Sequence, residues 1–187
     1  YRARDLVRQI LTISREHSTD VEPLYLSPLI KEALKLLRST LPSNIKIIDN
    51  IDKQLKLVNA VSIQVYQVFM NLCTNARDAM VNCESPCLEV CLENVTVHSA
   101  DPESPEYLEA GNYVKLSVKD NGLGIEPEIK EKIFKPYFTT KNKTAGSGLG
   151  LATTLGIVKQ FCGYITFETE PGKGTNFLVY LPTYEPE

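Results

Sequence analysis

The chain has 187 residues, 43% of them hydrophobic and 23% charged, and carries a formal net charge of −3. That is the balance of a globular chain able to bury a core, and the length predicts one domain with at most an appended fragment. The acidic balance argues against nucleic acid as a partner, which calls for a basic patch. No apolar run approaches the roughly 20 residues of a membrane span.

No signal peptide opens the chain. It begins inside what reads as a helix, so it is expected to be cut from a longer protein, with any membrane anchor in the missing part. The five cysteines are an odd number in a chain of ample size. They read as reduced thiols, which places the domain in a cytoplasmic setting. Cys83, Cys87 and Cys91 recur every four residues and His98 follows. Cys87 and Cys91 fall in an alternating strand pattern without a paired-Cys knuckle, so no zinc site is expected there.

In chain order, Arg2–Glu16 reads as the end of a helix whose face is Ala3, Leu6, Val7, Ile10, Leu11 and Ser14. So narrow a stripe is marginal alone, which predicts a partner helix from the missing chain or from a second copy. Residues 17–26 read as a linker broken by Pro23. Ser27-Pro28 then supplies an N-cap and an N1 proline for a helix that stops before Pro42. Ile45–Ile51 and Leu55–Val58 are expected strands, and Ser62 is the expected cap of a long helix over Gln64–Asn82.

That long helix divides into two faces. Val65, Val68, Phe69, Leu72, Cys73, Ala76, Ala79 and Met80 form an apolar arc suited to lie on a sheet. Gln64, Gln67, Asn71, Asn75, Asp78 and Asn82 form a narrow stripe opposite. Asn costs about 0.5–0.7 kcal/mol against Ala in a helix, and a solvated face would carry Glu and Lys instead. Amide oxygens and one carboxylate in a row suit a hard cation such as Mg²⁺ with its waters.

Farther on, Cys87–Val97 alternates as a half-buried strand, residues 98–111 are loop, and Tyr113–Lys119 alternates again through Val114, Leu116 and Val118. A helix is predicted from Leu149 to Phe161, ended by Gly163. Tyr164–Thr169, a turn at Pro171–Gly174, and Thr175–Leu181 make a β-hairpin. Helices and mostly antiparallel strands in this order predict an α+β fold: a two-layer sandwich with three helices on a mixed sheet.

Glycines gather at the mouths of these elements: Asp120-Asn121-Gly122-Leu123-Gly124-Ile125 ends a strand, Gly146-Ser147-Gly148-Leu149-Gly150-Leu151 opens a helix, and Gly172-Lys173-Gly174-Thr175 turns the hairpin. Glycine permits close backbone approach, and a glycine-rich helix N-terminus is a natural phosphate seat. Neither the Gly-Lys-Ser/Thr P-loop nor a βαβ-framed GxGxxG is present.

Asn71-Leu72-x-x-Asn75-Ala76, DNGLGI, KIFKPYFTTK, GSGLGL and GKGT stand in the order and spacing of the N, G1, F, G2 and G3 boxes of sensor histidine kinases. Over about residues 24–182 the chain resembles their catalytic, ATP-binding domain, which has the Bergerat fold shared with gyrase-type, mismatch-repair and chaperone ATPases. The style is similar to nitrogen-regulator-like and hybrid sensor kinases. Residues 1–23 resemble the end of the dimerisation hairpin and its linker, and 24–187 the catalytic domain.

The resemblance implies ATP and Mg²⁺ as cofactors. Asn75 would ligate the metal, with Asn71 beside it and Asp78 on the same stripe. Asp120 would accept the exocyclic N–H of adenine, and Thr175 would complete that contact through water. Gly122, Gly124 and Ile125 would pass close to the base, and Gly146, Ser147, Gly148, Leu149, Gly150 and Leu151 would wrap the phosphates. Residues 126–147 would form a lid containing Phe134, Tyr137, Phe138 and Thr140, from which Lys141 reaches the terminal phosphate. Arg77 points away from the amide stripe and is not placed at the phosphates.

The implied activity is transfer of the γ-phosphoryl of Mg-ATP to a histidine and then to an aspartate of a response-regulator receiver domain, by a protein that is a homodimer at full length. Neither His17 nor His98 fits the phosphoacceptor, which is expected upstream of residue 1 or on another chain. The rivals are a water-using ATPase of the same superfamily and a nucleotide-sensing scaffold. Water-using members place a Glu one turn before the metal-binding Asn, and this chain has Asn71 there.

Overall fold

The computed structural model describes residues 20–98, 108–140 and 147–185. The expected N-terminal helix and His17 lie outside them. In chain order the elements are β1 (Glu22–Leu24), α1 (Leu26–Thr40), β2 (Lys46–Ile51), β3 (Leu57–Ala60), α2 (Ser62–Ala79), β4 (Cys87–Val97), β5 (Gly111–Asp120), a 3₁₀ turn (Pro127–Lys132), α3 (Gly150–Gln160), β6 (Tyr164–Glu170) and β7 (Gly174–Tyr184). The α+β sandwich is as expected: a seven-stranded sheet ordered β1-β3-β7-β5-β4-β2, with β6 also on β7.

Among the described residues only β2 and β4 run parallel, Lys46 opposite Cys87. Parallel neighbours need a long crossover, and here β3 and α2 supply it. β7 carries β5 along one edge. On the other it pairs with β6 from Gly174 to Tyr180 and with β3 at Thr183 and Tyr184. The helix layer and the inward row of each strand enclose one core. Phe69, Leu72 and Cys73 of α2 meet Leu88, Leu92 and Val114 of the sheet, all fully buried. Truncating an aromatic such as Phe69 in a core of this kind costs about 3–5 kcal/mol.

Several boundaries differ from the sequence expectation. Residues 22–24 are an edge strand paired with Val58–Ala60, not linker. Pro23 is tolerated because an edge strand leaves one row of N–H groups unpaired. Ser27 does not cap α1, which starts at Leu26 with Tyr25 in the cap position and no side-chain cap bond. Pro28 still falls in the first turn, where N–H groups lack intrahelical partners. Ser62 likewise opens α2 from within, after Val61, and the helix ends at Ala79, so Asn82 lies beyond it. The second short strand is Leu57–Ala60, two residues later than expected. At the end of α3 the left-handed residue is Cys162 (φ 54), not Gly163. Gly163 is required for space, since a Cβ there would sit 2.5 Å from the Tyr180 carbonyl oxygen.

The β6–β7 turn contains two left-handed glycines in different surroundings. Gly172 (φ 78) has nothing within 4 Å of a Cβ, whereas a Cβ on Gly174 (φ 102) would collide with the Asp120 carbonyl. Gly172→Ala should therefore cost about 1–2 kcal/mol, the penalty of the left-handed backbone alone. Gly174→Ala should cost at least about 3 kcal/mol, because strain and collision add. Urea unfolding of the two variants checks this, and equal costs would contradict it.

Candidate functional site

The inward row of β5 is Val114, Leu116, Val118 and Asp120, all buried. The fourth member is a carboxylate in an apolar row, only 4% exposed. A buried carboxylate is tolerated when its oxygens are hydrogen-bonded. Here the Gly122 N–H donates to Asp120 Oδ1 at 2.8 Å, and the Thr175 N–H donates to the same side chain. Burial raises the carboxyl above its ordinary range, against the lowering by these two donors. Asp120 and Thr175 stand in the wall of a cleft of about 530 Å³, bounded by α2, the loop after β5, the 3₁₀ region and the start of α3. That volume suits a ligand of nucleotide size.

The glycine clusters hold this wall by backbone contact. A Cβ on Gly122 would lie 2.5 Å from the Ala79 carbonyl oxygen at the end of α2, and one on Gly124 would collide with the Glu170 carbonyl. The Leu123 N–H donates to Ala79 O at 3.1 Å, and the Gly172 N–H donates to Leu123 O at 2.7 Å. The loop after β5 is thus pinned between the end of α2 and the β6–β7 hairpin.

At the other end of the cleft, α2 meets α3. Asn71 Nδ2 donates to Gly150 O at 3.2 Å and to Thr154 Oγ1 at 3.3 Å. Thr154 is fully buried and donates its own proton to Gly150 O at 2.9 Å. With the NH₂ group turned to these acceptors, Asn71 Oδ1 is left for the cleft, the orientation a hard cation needs. Asn75 and Asp78 line the cleft as well. The middle of the amide stripe is therefore at the site. Its N-terminal part is not: Gln67 is exposed, and Gln64 Nε2 lies 3.4 Å from Gln160 Oε1.

Of the residues expected at the ligand, Asn71, Asn75, Asp78, Asp120, Gly124, Ile125, Thr140, Ser147, Gly148, Gly150, Leu151 and Thr175 line the cleft together. Gly122 stands behind the wall and acts through its N–H. Phe134 packs into the core, its ring 6.0 Å from that of Phe167. Tyr137 is no side-chain anchor: the residue is 76% exposed, and its left-handed backbone (φ 63) is what meets Gly148. Leu149 is exposed at the start of α3. Lys141 and Gly146 lie outside the described residues.

The structure adds Thr74 and Arg77 to the cleft. Arg77 corrects the helical-wheel reading. A wheel places the Cα, but the guanidinium folds back over the helix to Asp78, with Nη2 at 2.6 Å and Nε at 2.8 Å from Oδ1. Among the described residues lining the cleft it is the one cation.

The raised pKa of Asp120 has a consequence for stability. A carboxyl whose folded pKa exceeds its unfolded value contributes stability that is full below the unfolded pKa and is lost as pH rises through the folded one. The stability of the parent relative to Asp120→Asn should therefore fall as pH rises from the ordinary carboxylate range towards neutrality. Urea titrations of the ligand-free proteins across that range check this, and a relative stability that rises with pH would contradict it.

The family model described as "Histidine kinase-, DNA gyrase B-, and HSP90-like ATPase" matches residues 60–185. The chain is 38% identical over 183 residues to the sensor kinase CckA of Brucella abortus, covering 97% of this chain and 19% of that protein. It is 33% identical over 181 residues to sporulation kinase C of Bacillus subtilis, covering 95% of this chain and 38% of the relative. The chain thus spans well under half the length of either. The nucleotide-free catalytic domain of histidine kinase ThkA superposes with a TM-score of 0.69 at 28% identity, over 88% of this chain and 97% of that one. Fold, cleft and sequence agree: the chain belongs to the histidine kinase-, DNA gyrase B- and HSP90-like ATPase family, and its relatives there are sensor histidine kinases.

Proposed function

We propose that this chain is the catalytic part of a sensor histidine kinase that binds Mg-ATP and passes the γ-phosphoryl to a histidine outside residues 1–187, from which it reaches an aspartate of a response-regulator receiver domain. The observation that carries the reading is Asp120, a buried carboxylate fixed by two backbone N–H groups in the wall of a nucleotide-sized cleft. A carboxylate there accepts the exocyclic N–H of adenine and repels the carbonyl that guanine presents instead. Thr175 completes the contact through water. The residues before β1 are the end of a dimerisation hairpin with its linker, β1 itself belonging to the catalytic sheet, and the full-length protein is a homodimer. No helix among the described residues is long and apolar enough to cross a membrane.

Phosphoryl transfer leaves the protein mainly positioning and charge neutralisation. The α3 N-terminus, with Gly148 and Gly150, favours phosphate charge through its N–H groups. Bound Mg²⁺ would supply further neutralisation, held by Asn75 with Asn71 Oδ1 beside it. The NH₂ group of Asn71 is occupied by Gly150 and Thr154, so its oxygen side fits that role. Lys141 would reach the terminal phosphate. An amide at position 71 takes no proton from water, which disfavours the hydrolytic rival.

If Asn75 holds the metal, Asn75→Ala should bind ATP with little response to Mg²⁺ while keeping its fold, since the side chain is at the cleft and not in the core. Isothermal titration with and without Mg²⁺ decides it; a full metal response in the mutant would move the site elsewhere.

Labelled ATP tests the reaction itself. Alone, the chain should release phosphate more slowly than about 1 s⁻¹, the low end of ordinary turnover, because the Asn71 amide takes no proton from water and the one histidine among the described residues is His98, just past β4. Added helical hairpin carrying the upstream histidine should become labelled in acid-labile form. Faster release by the chain alone would favour the ATPase reading, and label on His17 would relocate the acceptor.

A further inference from the structure

Thr169 lies beside the base-reading wall, directly across from Thr175 in the β6–β7 ladder. Its hydroxyl makes three contacts. The Ile125 N–H donates to Thr169 Oγ1 at 2.9 Å, the Gly174 carbonyl lies 3.1 Å away, and Thr175 Oγ1 lies 2.9 Å away. A hydroxyl has one proton and two lone pairs. A carbonyl only accepts, so the Thr169 proton goes to Gly174. One Thr169 lone pair receives the Ile125 N–H, and with all three contacts made as hydrogen bonds the other receives the proton of Thr175. Thr175 Oγ1 therefore keeps only lone pairs for the cleft, beside a carboxylate that also only accepts.

We infer that Thr169 is a specificity-determining positioning residue: by taking the Thr175 proton it makes the purine-reading wall a pure acceptor, which rewards a 6-amino purine and rejects a 6-oxo one. This rests on the adenine reading proposed above. The discrimination is not complete in the Asp120 side chain, because a Thr175 free to turn its proton to the ligand would offer a donor to a 6-oxo group, directly or through water. Thr169 closes that option without touching the ligand.

The test compares ATP with ITP, which carries oxygen in place of the 6-amino group, by titration against the parent, Thr169→Val and Thr169→Ser. The parent should prefer ATP. Thr169→Val releases the Thr175 proton and should narrow the ATP-to-ITP affinity ratio by about tenfold, the worth of one hydrogen bond. Thr169→Ser keeps the hydroxyl and should keep the ratio. A purely structural role would weaken both nucleotides equally, so an unchanged ratio in a folded Thr169→Val, read by circular dichroism, would overturn the inference. Thr169→Ala takes its place, with the same outcomes, should the valine variant not fold. In a Thr175→Val background the effect of Thr169→Val on the ratio should vanish, and its persistence would overturn the inference as well. A parent that binds ATP and ITP equally would overturn the adenine reading, and this inference with it.

Discussion

The site depends on a carboxylate carried at the last inward position of β5. Val114, Leu116 and Val118 are buried by the same alternation that buries Asp120, so the strand brings a charge to the end of an apolar row. Such a group stays in place only if backbone donors reach it. The Gly122 and Thr175 N–H groups do so from opposite sides in sequence, one just past the strand and one across the sheet. Burial still pushes the carboxyl upward. The ligand-free fold therefore keeps at its cleft an acceptor with unspent capacity, a stability cost retained where a binding group is wanted.

The glycines serve that arrangement more than they serve flexibility. Gly122 lets the loop after β5 pass against the end of α2, Gly124 lets it meet the hairpin, and Gly174 lets the hairpin lie on the Asp120 backbone. Three chain segments distant in sequence are thereby packed main chain to main chain around one side chain. Gly172, with open space around it, answers only to the turn.

At the α2–α3 end of the cleft the same economy applies to an amide. Asn71 is oriented by the first turn of α3 through Gly150 and Thr154, so the helix that would face phosphate also fixes which atom of Asn71 faces the cleft. This couples α2 to α3 where a hydrolytic relative would need a proton acceptor. An amide at that position takes no proton from water, in keeping with the phosphoryl transfer proposed for this chain.

Periodicity and local composition were enough for the α+β class, for the apolar arc of α2 and the β6–β7 hairpin, and for the glycine boxes, because these follow from repeating side-chain direction. The alternation of β5 continued by one step lands on Asp120, so even the buried carboxylate is written in the pattern. Helix ends were less legible. Tyr25 and Val61, with no capping side chain, hold the cap positions because tertiary packing sets where those helices begin. Strand β1 was invisible beside Pro23, since it pairs with residues nearly forty positions away. The reach of Arg77 to Asp78 and the exposure of Tyr137 depend on rotamers and backbone angles that no wheel contains. Thr169 is the clearest case. Nothing about a threonine in a strand marks its hydroxyl, and its role arises only when β6, β7 and the loop after β5 bring two donors and one acceptor to the same oxygen. The order of the residues determined which groups the chain has to offer; the tertiary packing decided which way each proton points.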